Sequence, residues 1–146
     1  MKKVSVKKKI NIEATQEKIF NFLTDPKNIP LILPGLIENT NIPKLPIKKG
    51  DRFKYKYQMA GFVFEGDVSV DKVEKPSSYN FTSFGGIKSS WKQNIKKTKL
   101  GSEFSLEIVY EVPNNILNKF KFALLQKIND SEAEHYLANL KNVMEI

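Results

Sequence analysis

The stretch FKYKYQMAGFVFEGDV, residues 53–68, decides the fold. Ala60-Gly61 interrupts two runs of alternating apolar and polar residues, the pattern of a β-hairpin. Closing the chain there sets Tyr57 opposite Phe64, Phe53 opposite Val68 and Met59 opposite Phe62 on one face. The same register sets Lys56 against Glu65 and Lys54 against Asp67 on the other face. Apolar pairs on one side and opposite charges on the other, from a single register, are the cross-strand stabilisation of a real hairpin.

The alternation continues to Val112. A hairpin at Lys97 to Ser102 pairs Ile95 with Phe104, Gln93 with Leu106, Trp91 with Ile108 and Ser89 with Tyr110. A plain two-residue turn at Gly85-Gly86 would split the aromatics between faces. One more loop residue restores Phe81 to Trp91 and Tyr79 to Gln93, which predicts a glycine bulge or a three-residue loop.

Before these hairpins, Val4, Val6, Ile10 and Ile12 share one face of a strand. Lys8 is the odd member of that face, either a buried cation facing a ligand or, near a strand end, a side chain that snorkels to water. Thr15 is positioned to cap a helix carrying Ile19, Phe20 and Leu23 on one side. Asp25-Pro26 ends that helix and caps a second, which Pro30 shortens and Pro34-Gly35 stops. Residues 36–50, with Pro43 and Pro46, read as a short strand and an irregular connection.

After Pro113, with Asn114 or Asn115 as cap, comes an amphipathic segment with two apolar stripes. Phe122, Leu125, Ala133, Tyr136, Leu137, Leu140 and Met144 form one; Ile116, Leu117, Phe120, Ala123, Leu124 and Ile128 form the other. The expectation is that the sheet covers one stripe and the N-terminal helices the other. A kink near Asn129-Asp130-Ser131 or an exposed stripe for a dimer or membrane are the alternatives. The order of elements suits an α+β fold, a single curved antiparallel sheet around the last helix.

The 146 residues suit one domain, 1–146, with ordinary globular composition: 40% hydrophobic and 27% charged. With no cysteine there is no disulfide framework, thiolate nucleophile or cysteine zinc site. The lysine-rich N-terminus has no apolar region behind it and no run is long enough to span a membrane, so a cytoplasmic location is expected. The net charge of +8 invites a nucleic-acid reading. Yet Arg52 is the only arginine among 24 basic residues, and arginine is the usual reader of phosphate and guanine. The scattered lysines predict a solvated surface without specific nucleic-acid binding, leaving weak contact with anionic membranes open.

The inward face is aromatic, dotted with hydroxyls and one amide, and nearly free of charge. The residues expected to bind a ligand are Tyr55, Tyr57, Phe64, Phe81, Trp91, Gln93, Ile108 and Tyr110. Phe122 and Leu125 of the last helix form the expected opposite wall. Such a lining suits a small hydrophobic ligand in a cavity on the order of 300 Å³ or more, oriented by the tyrosine hydroxyls and the Gln93 amide. No catalytic residue, metal site or cofactor is indicated. His135 lies off the apolar stripe, and Glu65, Asp67, Asp71, Glu103, Glu107 and Glu111 face outward toward lysines.

Residues 10–28, INIEATQEKIFNFLTDPKN, with Pro34-Gly35 and the ending Tyr136-Leu-Ala-Asn-Leu-Lys-Asn-Val-Met-Glu, resemble the START-like or SRPBCC superfamily. That superfamily groups polyketide cyclases, birch-allergen-like proteins and lipid-transfer domains. The resemblance implies a helix-grip fold: a seven-stranded antiparallel sheet, two short helices between the first two strands, and a long C-terminal helix over a cavity. It carries no catalytic residue onto this sequence. It implies a carrier or sensor for a lipid-, quinone- or polyketide-like ligand. One alternative is an aromatase/cyclase or dehydratase using Tyr55, Tyr57 or Tyr110, which an inward, perturbed carboxylate would favour. The other is an accessory protein at the membrane surface, using the lysines and the second stripe. Ligand identity and oligomeric state are not written in the sequence.

Overall fold

The computed structural model describes residues 2–146. The alternating stretches form one antiparallel sheet of seven strands: β1 (Lys3–Ile12), β2 (Leu36–Thr40), β3 (Arg52–Met59), β4 (Phe62–Glu74), β5 (Ser78–Phe84), β6 (Lys88–Lys97) and β7 (Ser102–Glu111). Their spatial order is β1-β7-β6-β5-β4-β3-β2, a meander from β2 to β7 onto whose far edge β1 folds back. Between β1 and β2 lie α1 (Gln16–Leu23) and a 3-10 helix, Pro26–Leu31; α2 (Asn114–Leu117) and α3 (Phe122–Met144) close the chain. This is the helix-grip arrangement.

The hairpin registers are those of the sequence. Tyr57 pairs with Phe64 and Phe53 with Val68, while Trp91 pairs with Ile108 and Gln93 with Leu106. Phe81 pairs with Trp91 across a three-residue loop, Gly85-Gly86-Ile87, in which Gly85 takes φ +97°. Outside, Lys54 and Lys56 reach Asp67 and Glu65 at 3.4 and 4.0 Å. Exposed pairs of this kind contribute little each. Their value is in fixing the register.

Local caps set the N-terminal helices. Thr15 accepts from the Lys18 N–H at 3.1 Å, and Asp25 accepts from the Lys27 N–H at 3.1 Å. Pro30, which has no N–H to give, sits inside the second helix, which is one short 3-10 turn sequence rather than an α-helix. Ile19, Phe20 and Leu23 turn inward as expected.

Three expectations fail. Lys8 lies mid-strand, and its ammonium bonds Asp130 and Glu134 of α3, both at 3.0 Å, so it neither faces a ligand nor snorkels to water. The last segment is two helices, not one. It breaks at residues 118–121, and Pro113 and Lys121 hold the cap positions without side-chain bonds. The second stripe is divided by the break: Ile116 and Leu117 lie on α2, where Ile116 is fully buried, Phe120 lies between the helices, and Ala123, Leu124 and Ile128 lie on α3. The N-terminal helices do not cover the whole second stripe: Leu124 remains 46% exposed and Ala123 is exposed. No helix among the described residues is long and apolar enough to cross a membrane.

Candidate functional site

The inward face of the sheet is filled differently along its length. A cavity of about 70 Å³ lies toward the β2–β5 side. Its floor is the sheet: Phe53, Tyr55 and Tyr57 of β3, Val68 of β4, Tyr79, Phe81 and Ser83 of β5, Ser89 and Trp91 of β6, and Tyr110 of β7. The rest of the lining is Ile29 of the 3-10 helix, Leu33 behind it, Leu36 and Asn39 of the edge strand β2, and Ile87 of the β5–β6 loop. Strand alternation delivers the aromatics, because every second residue of a strand faces the same side.

Five of the sequence-predicted ligand residues line this cavity: Tyr55, Tyr57, Phe81, Trp91 and Tyr110. The other five do not. Phe64 is half-buried beside Phe62, their ring centroids 6.4 Å apart. Ile108 is buried in the core under α3. Gln93 is tied up, accepting from the Tyr136 hydroxyl at 2.6 Å and donating to the Tyr79 carbonyl at 3.3 Å. Phe122 lies at the start of α3 under the Lys2 ammonium, and Leu125 is core. In place of the expected helical wall, the cavity has Ile29 of the 3-10 helix and Leu33 behind it.

The cavity is also smaller than the 300 Å³ expected, and Tyr136 is the reason. From α3 it meets Trp91 edge-on at 5.4 Å between centroids and Phe104 at 6.3 Å, filling the middle of the grip. Phe81 stacks on Trp91, with ring centroids 5.3 Å apart.

Most of the hydroxyls around the cavity are engaged by partners within the protein. Tyr55 donates to the Ile87 carbonyl at 3.0 Å and accepts from the Ile87 N–H at 2.7 Å. Ser83 also donates to the Ile87 carbonyl, at 2.9 Å, and lies 2.5 Å from the Ser89 hydroxyl, which accepts from the Trp91 indole at 3.2 Å. This ladder pins the Gly85-Gly86-Ile87 loop against the sheet and leaves a mainly apolar surface.

At the α3 side of the cavity stands a group that the outward-facing strand carboxylates gave no hint of. Glu132 turns inward, accepts a hydrogen bond from the Tyr57 hydroxyl, and takes the Gly35 N–H at 3.0 Å. A Cβ at position 35 would collide with that carboxylate, so glycine is what lets it reach the backbone. Burial raises the Glu132 pKa above its ordinary value, against the lowering effect of the Tyr57 and Gly35 hydrogen bonds. Burial likewise raises Tyr57 well above the usual range, with Tyr110 and Glu132 adding to it. Tyr110, beside Tyr57, is pushed up chiefly by burial. Tyr57 thus connects a half-buried carboxyl to the cavity surface. His135 is exposed, as the sequence suggests. Among the described residues, no group of histidine, aspartate or glutamate side chains is placed to hold a metal ion.

Comparison with known proteins places this architecture. Residues 3–145 match the profile of the family described as polyketide cyclase / dehydrase and lipid transport, and the chain belongs to that family. Among solved structures it is similar to a START superfamily protein from Mycobacterium smegmatis, with TM-score 0.79, 14% identity and 97% of each chain covered. It is also similar to the KanY protein, with TM-score 0.76, 16% identity and 100% of each chain covered. The di-domain ARO/CYC StfQ of the steffimycin biosynthetic pathway matches with TM-score 0.76 and 10% identity, over 98% of this chain and 51% of that one. At such identities the likeness is one of fold. No curated protein matches the chain.

Proposed function

We propose that this protein is a binding module for a small, largely apolar ligand, held between the β3–β7 face and the 3-10 helix. The observation that carries the reading is the aromatic-lined cavity, whose polar atoms are mostly satisfied internally and so offer apolar surface. Family membership agrees, and lipid-, quinone- and polyketide-like molecules are the classes it brings into question. A space of about 70 Å³ is well short of the roughly 300 Å³ of a usual ligand pocket. Binding therefore requires the thin side to move. Pro26–Leu31 is the element suited to it, a short 3-10 helix interrupted by Pro30 and holding the cavity through Ile29, with Leu33 just beyond.

A neutral, environment-sensitive apolar dye should bind and change the fluorescence of Trp91, the one tryptophan. Phe81→Ala should alter its affinity. A dye that leaves Trp91 fluorescence untouched at saturating concentration removes the binding reading.

One observation favours a second reading, a cyclase- or dehydratase-type enzyme. The Glu132–Tyr57 pair ends at the cavity surface, and burial shifts the Glu132 pKa upward, the direction that suits a general acid. In that case Glu132→Gln would abolish turnover of a bound polyketide-like substrate while leaving its binding in place. Equal turnover by the variant excludes the role.

A further inference from the structure

Where α2 gives way to α3, the surface carries apolar side chains among unanswered cations. Residues 112–129, VPNNILNKFKFALLQKIN, contain three lysines, Lys119, Lys121 and Lys127, and no carboxylate. All three lysines are exposed, and none forms an ion pair with a described residue. Leu124, 46% exposed, is three residues from both Lys121 and Lys127, the spacing that puts side chains on one side of a helix. The β3–β4 hairpin meets this segment at its tip, where the Lys119 ammonium lies 5.6 Å from the centroid of the Phe62 ring. Residues 57–64 of that hairpin, YQMAGFVF, have no charge, and Val63 beside the turn is 54% exposed.

The outer face of the sheet is built differently. There Glu107 stands between Lys7 and Lys92, and Glu111 between Lys3 and Lys88, so neighbouring charges answer one another. At the hairpin tip and the helix break, the lysines are left to an outside partner, and aliphatic side chains stand beside them.

We infer that the β3–β4 tip and the α2–α3 break together form a docking surface for an anionic lipid bilayer. Lysines are drawn to a negative membrane surface, and their stems can lie along the headgroups while Val63 and Leu124 bury just below. Two half-exposed aliphatic side chains are a small part of the roughly 800 Å² per partner of a stable protein interface. A bilayer asks for no such area, because the headgroup charge supplies much of the attraction. Tyr57 of the cavity floor lies three residues before Ala60, about 10 Å along the strand, so a docked tip holds the cavity close to the lipid. The surface does not depend on the cavity's being a binding site.

The test sediments full-length protein with vesicles of phosphatidylcholine alone and of equal parts phosphatidylcholine and phosphatidylglycerol. The protein should bind the anionic vesicles only, and less as salt is raised. Lys119→Gln with Lys121→Gln should weaken binding roughly 25-fold, about fivefold for each charge. Val63→Gln with Leu124→Gln, at unchanged charge, should weaken it roughly tenfold. All four positions are exposed, so both double variants should melt at the wild-type temperature. The control, Lys7→Gln with Lys92→Gln, removes two charges from the outer face and should change binding by no more than about twofold. An equal loss in the control assigns the attraction to net charge and overturns the inference. So does equal binding to both vesicles, binding to neither, or unchanged binding by the Val63→Gln, Leu124→Gln protein. A dimer in solution that this last variant dissolves also overturns it, and gives the patch to a second copy of the chain.

Discussion

The two halves of the interior share one sheet face and one kind of residue, yet one is filled and the other is not. Under α3, Tyr136, Phe104, Leu140 and Leu125 are all at or below 1% exposed, and the Tyr136 hydroxyl is bonded to the Gln93 amide oxygen. Under the 3-10 helix, Phe53, Tyr55, Tyr79 and Trp91 are equally well turned inward but surround a cavity. The difference lies opposite the sheet. A 23-residue α-helix delivers a side chain to the core on every turn, whereas a six-residue 3-10 helix containing two prolines brings only Ile29 to this site, with Leu33 beyond it. An aromatic sheet face makes a pocket possible; the brevity of what covers it makes the pocket.

The largest effect is expected in the filled half. Tyr136→Ala should cost about 3–5 kcal/mol in denaturant unfolding, because it empties a closed site and orphans Gln93. In the open half, Leu33→Ala should cost about 2 kcal/mol, the low end for such a truncation, and should raise affinity for a bulky apolar dye. If Leu33→Ala proves the more damaging of the two, the contrast between the halves is wrong.

Between the halves, Glu132 should leave its mark on the pH dependence of stability. Its proton is held more tightly in the folded protein than in the unfolded chain, so its contribution is full at low pH. That contribution is lost as pH rises from 4.5, the ordinary value, through the raised folded value. Glu132→Gln should flatten this fall, and unfolding curves across that window will show whether it does. The smallest effect belongs outside both halves: Lys54→Ala should change stability by no more than about 0.5 kcal/mol and dye binding not at all. A binding loss there would place the ligand on the outer face.

What the sequence disclosed and what it hid divide along the same line. The hairpins were legible because each register answers to two faces at once, and even the three-residue loop after Phe84 followed from keeping Phe81 beside Trp91. The cavity's floor was accordingly half recognised, through Tyr55, Tyr57, Phe81, Trp91 and Tyr110. Its other side was not, because no periodicity says which element a sheet face will meet. Phe122 and Leu125 were natural choices on a helix apolar nearly all round, and the break at residues 118–121 carries no proline or glycine to announce it. Glu132 looked like any helical glutamate; only the partners Gly35 and Tyr57, distant in sequence, turn it inward.

The central claim is that an apolar ligand enters the half under the 3-10 helix and not the half under α3. Backbone amide shifts on saturation with 2-methylnaphthalene test it directly. The account predicts shifts at Ile29, Leu33, Leu36, Ser83, Ile87 and Trp91, with Phe104, Leu137 and Leu140 unmoved. Shifts concentrated at Phe104, Leu137 and Leu140, with the 3-10 helix and β2 silent, would contradict it.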